Sequence, residues 1–162
     1  MPKEWITDRE EMESLLQEAL VGCLATVGPD ESPYITPLNF VYHQGKIYFH
    51  CAFKGRKVDN IRANPRVCFE VHQLIKIVQG QRACDFGTRY RSVLVFGRAR
   101  SLPDGDEKVA VLTALAEKYA GGQAVEPPTP KRVKGTEVIE ITIEEMTGKR
   151  NVDYLPGEGT NT

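Results

Sequence analysis

Nowhere does the chain approach the run of about 18 apolar residues from which a membrane helix is built. The opening residues, Met1-Pro2-Lys3-Glu4-Trp5, lack the apolar stretch and small-residue cleavage site of a secretory signal, so a cytoplasmic location is expected. Neither sign of charge is in excess. Lysine and arginine number 21 against 22 acidic residues, a net charge of −1, which gives no global field for nucleic acid or an anionic membrane. Any basic site must therefore be local. The four cysteines, Cys23, Cys51, Cys68 and Cys84, form no C-x-x-C pair. That argues against structural zinc or a thioredoxin-type centre and leaves them as small buried hydrophobes. Also missing are G-x-G-x-x-G, the P-loop, a nucleophile elbow and paired hydrolase carboxylates.

What is present is a soluble-protein balance of 41% hydrophobic and 27% charged residues over 162 positions, enough for one self-sufficient core. Thr7-Asp8-Arg9-Glu10 has the form of a capping box. It precedes Met12, Leu15, Leu16, Ala19 and Leu20 on one helical face, predicting a helix that ends near Gly22. The texture then turns to short β-type runs. Cys23–Val27 ends at Gly28-Pro29-Asp30, and Tyr34–Tyr42 pairs as a hairpin with Ile47–Cys51 through Gly45. Pro37 lies inside the first of these hairpin strands. Proline cannot donate to a ladder, so that strand is expected to be an edge or to carry a bulge.

A short helix is predicted from Gly55 to Ala63, stopped by Asn64-Pro65, with strands at Arg66–His72 and Tyr90–Arg100. Asp104–Tyr119 reads as a second long helix with Val109, Leu112, Ala116 and Tyr119 on one stripe. After a proline-rich loop at Pro127-Pro128-Thr129-Pro130, Ile139, Ile141 and Ile143 mark a last strand, and Lys149 falls in a terminal Thr-Gly-Lys turn. About six strands and three helices without regular alternation favour an α+β, mainly β, antiparallel barrel. Residues 1–153 are expected to form a single domain and 154–162 a mobile tail.

The stretch His50-Cys51-Ala52-Phe53-Lys54-Gly55-Arg56-Lys57 carries the clearest chemistry. A strand ends, a glycine follows, and a helix starts with three cations at the end of its dipole that repels them. A phosphate arriving from outside would resolve that conflict through charge-assisted hydrogen bonds, whereas a solvated charge cluster is the plainer alternative.

Four ordered segments narrow the choice. They are Tyr34-Ile35-Thr36-Pro37-Leu38-Asn39-Phe40-Val41-Tyr42, then Gly45 to Ala52, then Gly55-Arg56-Lys57-Val58 with Asn64-Pro65, and later Tyr90 to Ala99 with Met146-Thr147-Gly148-Lys149-Arg150. As an ordered set covering most of residues 7 to 153, they resemble the pyridoxamine 5′-phosphate oxidase-related flavoproteins, in the branch of the nitroimidazole-resistance (Nim-type) proteins. The resemblance implies a six-stranded antiparallel split β-barrel with flanking helices, forming a homodimer with FMN at the subunit interface.

Carried over position by position, it implies that Thr36, Pro37, Leu38 and Asn39 lie along the isoalloxazine and ribityl chain. His50, Cys51 and Ala52 would lead into the phosphate, and Lys54, Gly55 and Lys57 would cradle it. Arg91 and Ser92 would reach toward the flavin, across the dimer or within the chain. Cys51 stands where relatives often carry serine, a weaker donor in place of a hydroxyl. Each residue keeps a plainer reading: Asn39 satisfying a loop, His50 a packed strand histidine, His43 and His72 surface or turn residues, Tyr42, Tyr48 and Phe49 core or dimer contacts.

The implied activity is electron transfer through FMN from reduced nicotinamide to a small acceptor, nitroaromatic in Nim-type relatives. His50 is the candidate proton donor beside the ring, since histidine titrates near neutral pH. Haem and a deazaflavin remain alternative cofactors, and a flavin-storing or redox-sensing protein without a substrate is the alternative to an enzyme. No metal, nucleic acid or membrane partner is expected.

Overall fold

The computed structural model describes residues 3–151 and is dominated by one eight-stranded antiparallel sheet. In chain order the elements are β1 (Lys3–Ile6), α1 (Arg9–Glu18), β2 (Gly22–Val27), β3 (Pro33–Leu38), β4 (Val41–His43), β5 (Lys46–Cys51) and α2 (Arg56–Ala63). There follow β6 (Arg66–Val78), β7 (Gly87–Ser101), α3 (Asp106–Tyr119), α4 (Pro130–Lys134) and β8 (Glu137–Asn151). A single turn of 3₁₀ helix at Ala83–Asp85 tips the β6–β7 hairpin. The expected tail at 154–162 lies outside the described residues. Among the described residues no helix is long and apolar enough to cross a membrane.

The strand order is β3-β2-β6-β7-β8-β5-β4, with β1 added beside β8. β3 and β4 are the two ends of that order, yet Asn39 and Phe40 alone separate them in sequence. The three Cα–Cα steps from Leu38 to Val41 span at most about 11 Å. The sheet must therefore curl until its edges nearly meet, which makes an open barrel whose split is bridged by Asn39-Phe40. This is the split-barrel class expected, with eight strands rather than six.

Three expectations change here. Tyr34–Tyr42 is not one strand, because the chain breaks at Asn39-Phe40, and β3 pairs with β2 while β4 pairs with β5. An unbroken run of β-formers hid that switch of partner. Pro37 does sit on an edge strand, facing Cys23 in the register. Thr7 is not the cap of α1: Asp8 is, its carboxylate accepting the Glu10 N–H at 2.9 Å. Lys149 lies within β8 rather than in a terminal turn, its ammonium 4.3 Å from the centre of the Trp5 ring.

The barrel interior is filled by Leu24, Phe40, Ile47, Phe49, Phe69, Val95 and Ile141, all fully buried, and one end is closed by Met12, Leu15 and Leu16 of α1. Phe40 meets Phe69 edge-on with ring centres 4.8 Å apart, so the residue that bridges the split is also locked into the core. β7 and β8 approach so closely at the irregularity between Phe96 and Gly97 that a Cβ on Gly97 would lie 2.1 Å from the Thr142 carbonyl oxygen.

A second, smaller core forms outside the barrel, where α3 covers β4, β5 and β8 through Val41, Tyr48, Val111, Leu115 and Val138. The buried stripe of α3 is Val111 and Leu115, with Lys108, rather than the predicted Val109, Leu112, Ala116 and Tyr119. Because successive β5 residues alternate between the two cores, Ile47 and Phe49 face inward while Tyr48 faces α3.

Candidate functional site

The sequence-predicted residues fall into separate places. Thr36 and Leu38 lie on the inner face of β3 and Cys51 on the inner side of β5. Thr36 stands opposite buried Leu24, and its Oγ1 is buried with no hydrogen-bond partner among the described residues. An orphaned buried hydroxyl marks a place for an ordered water or for a polar group of a ligand.

Two residues before it on the same face, the Tyr34 ring lies 4.9 Å under the Arg56 guanidinium at the start of α2. Further along α2, the Asn60 amide donates to Thr26 Oγ1 at 3.0 Å, tying the helix to β2. The N-terminus of α2 is thus held against the β2–β3 edge.

That N-terminus has the form of an anion receptor. Gly55 occupies the cap position at φ 135° and ψ 159°, a conformation that side chains resist, and among the described residues no side chain caps the first helical N–H groups. None of the described residues lies within 4 Å of where its Cβ would be, so they leave the space beside Gly55 open. Lys54 is exposed and Lys57 half-buried, and neither forms an ion pair among the described residues. Burial pushes the Cys51 thiol up, partly opposed by the charge of Lys57. Cys51, Lys54, Gly55 and Lys57 follow one another from the end of β5 into the start of α2, and the Arg56–Tyr34 contact sets that start against the strand that carries Thr36.

Asn39 and His50 go elsewhere. On β5 the alternation that turns Cys51 inward turns His50 outward, and both His50 and Asn39 line a cavity of about 430 Å³ between β5, α3 and α4. Leu112, Ala116 and Tyr119 form much of its wall. Of the predicted apolar stripe of α3, Leu112, Ala116 and Tyr119 line this cavity, Leu112 also packing against the second core, while Val109 does not reach it. Pro37 is exposed on the outer face with Ile35, and Ala52 is exposed just past β5.

Arg91 and Ser92 sit on β7, and Arg91 is buried. Its guanidinium donates to Gln73 Oε1 at 2.7 Å and pairs with Glu18, so within the chain it ties β7 to β6 and α1. The cysteines are less buried than expected: Cys23, Cys51 and Cys68 are half-buried and Cys84 is exposed at the hairpin tip.

Sequence reasoning missed Arg132 and Thr136, which also line the cavity. They follow a helix start that was legible: Thr129 caps α4 by accepting the Arg132 N–H at 3.4 Å, with Pro130 in the first turn.

Comparison with known proteins agrees with this architecture. The chain is similar to a crystal structure of a proposed 5-nitroimidazole antibiotic resistance protein from Bacteroides thetaiotaomicron, with TM-score 0.79 and 24% identity over 91% of this chain and 87% of that one. It is similar to an FAD-binding protein from Mesorhizobium loti, with TM-score 0.68 and 26% identity over 93% and 99% of the two chains. It is also similar to the FAD- and haem-binding protein from Mycobacterium smegmatis, with TM-score 0.82 and 21% identity over 93% and 74%. The sequence model of the pyridoxamine 5′-phosphate oxidase family matches residues 8–150, spanning both the α2 receptor and the split at Asn39-Phe40, and the chain belongs to that family.

Proposed function

We propose that the protein is an FMN-dependent oxidoreductase that works as a homodimer, passing electrons from reduced nicotinamide to a small acceptor, with nitroaromatic compounds as the first class to try. The observation that carries this reading is the start of α2. Open backbone at Gly55, uncapped N–H groups and two lysines without ion pairs match a phosphate dianion. The buried, unpartnered Thr36 hydroxyl fits a ligand that continues from that phosphate along β3. Both features suit a flavin mononucleotide better than haem, which needs an axial ligand near its iron.

Bound FMN would supply the electron chemistry, leaving the chain to hold, orient and protonate. Lys54, Lys57 and the Gly55–Lys57 backbone would hold the phosphate, and Thr36 would donate or accept along the ribityl chain. His50, exposed to the outer cavity, is the group able to hand a proton to an acceptor bound there.

The dimer reading is supported by the outer face of the sheet. Ile35, Ala25, Cys68 and Phe96 are cross-strand neighbours in one row over β3, β2, β6 and β7, and Ile35 is 65% and Phe96 42% exposed. A second copy offering the same patch would cover both.

Replacing Lys54 and Lys57 together by glutamine is expected to weaken FMN binding by roughly 10²-fold, two charge-assisted contacts at about 1.5 kcal/mol each. His50→Ala should leave binding intact and slow turnover by about 10²-fold. Unchanged affinity in the double variant would remove the phosphate from α2. Release of FAD instead of FMN would keep the fold reading and change the cofactor.

A further inference from the structure

The outer cavity is built differently from the α2 receptor. Asn39, His50 and Arg132 are solvent-exposed; among the described residues their amide, ring and guanidinium make no hydrogen bond or ion pair within the chain, and all three line this one space. Opposite them the wall is apolar, made by Leu112, Ala116 and Pro128. Among the described residues no carboxylate lines this cavity or the adjoining one, of about 420 Å³, that shares Arg132 and Thr136 with it. A few convergent, unspent polar groups over apolar walls, in a volume of a few hundred Å³, are the marks of a small-molecule site.

We propose that this cavity binds a small carboxylate with an apolar body, the carboxylate on Arg132 and the body against α3. The charge count sets the class. One free guanidinium with a fork of N–H donors suits a planar monoanion, held by two parallel bonds. A phosphate dianion is better served at α2, where lysines and backbone N–H groups gather. A neutral apolar ligand would leave Arg132 unused and His50 and Asn39 desolvated without partners. His50 and Asn39 sit where the β-sheet side of the cavity meets the ligand, so they orient its body or a second polar group on it. Calling this ligand the electron acceptor rests on the flavin reading above; the existence of the site does not.

The test compares 2-naphthoate with 2-naphthamide, close in shape but differing in charge, by calorimetry on the FMN-loaded protein. Naphthoate is expected to bind at least about tenfold more tightly. Arg132→Gln should abolish that preference without changing FMN uptake, and Ala116→Phe, which fills the cavity from α3, should weaken both probes. Equal affinity for the two probes, no binding of either, or a preference that survives Arg132→Gln overturns the proposal. Displacement of naphthoate by FMN also overturns it, by making the cavity part of the flavin's own site. Should the chain take up no FMN, the flavin reading fails, and the same titration on the cofactor-free protein still decides the cavity.

Discussion

The Tyr119 hydroxyl accepts the backbone N–H of Phe40 at 2.9 Å and lies 3.0 Å from the carbonyl oxygen of the same residue. A third contact, to the Leu20 carbonyl at 2.7 Å, brings the end of α1 to the same point. The last residue of α3 thus clasps the two-residue bridge over the split in the barrel. Asn39, the other half of that bridge, lines the outer cavity, so the clasp also fixes one wall of the proposed ligand site.

Tyr119→Phe leaves the Phe40 N–H without its partner at a part-buried position. A loss of about 1–2 kcal/mol in unfolding free energy is expected by chemical denaturation. Binding of naphthoate should weaken with it, because Asn39 is no longer held.

The neighbouring Lys118 lies with its ammonium 3.9 Å from the centre of the Phe40 ring, and burial holds its pKa down to about 8. In the unfolded chain the same lysine keeps its ordinary value of 10.5. From pH 8 upward the unfolded state therefore carries a proton that the folded state has released, and this group's contribution to stability rises with pH. Melting temperatures of wild type and Lys118→Met between pH 7 and 9.5 should diverge in slope, the wild type gaining relative to the variant. Parallel profiles would show that Lys118 is solvated like any surface lysine.

Glu140 is buried at 1% exposure between β5 and β7, where it accepts from Arg100 at 2.8 Å and from Lys46 at 3.0 Å. Burial alone would raise its pKa; these two bonds more than offset that and hold the carboxyl below its ordinary 4.5. Its contribution is therefore present above pH 4.5 and lost as pH falls through the lowered folded value. Glu140→Gln should be less stable than wild type at pH 7, and the gap should close on acidification below about pH 4.

Gly55→Ala tests the α2 receptor through its backbone. The new Cβ meets nothing within 4 Å, so any cost comes from forcing alanine to φ 135°, about 1–3 kcal/mol. Both thermal stability and FMN affinity are expected to fall. Full FMN affinity at reduced stability would mean that the loop conformation does not matter to the anion.

Much of this was legible in the sequence because local signals agreed with the final fold. Pro37 marked an edge strand, Ile139, Ile141 and Ile143 share the inner side of β8, and the cationic start of α2 stood out against its own dipole. What was hidden is tertiary. The run from Tyr34 to Tyr42 is uniformly β-forming, so only the closure of the sheet reveals the break at Asn39-Phe40. His50 and Cys51 are adjacent in sequence, but strand alternation sends them to opposite faces, separating a set that the resemblance had joined. Arg91 is occupied by Glu18 and Gln73, partners that spacing could not have named.

The most direct test is the absorbance spectrum of the purified chain, followed by heat release and chromatography of any cofactor and by titration of the stripped protein with FMN. A yellow protein that releases FMN, and takes it back stoichiometrically with the chain, is the expected result. A colourless protein that fails to take up FMN would contradict the central claim, leaving the split barrel and its family without a flavin.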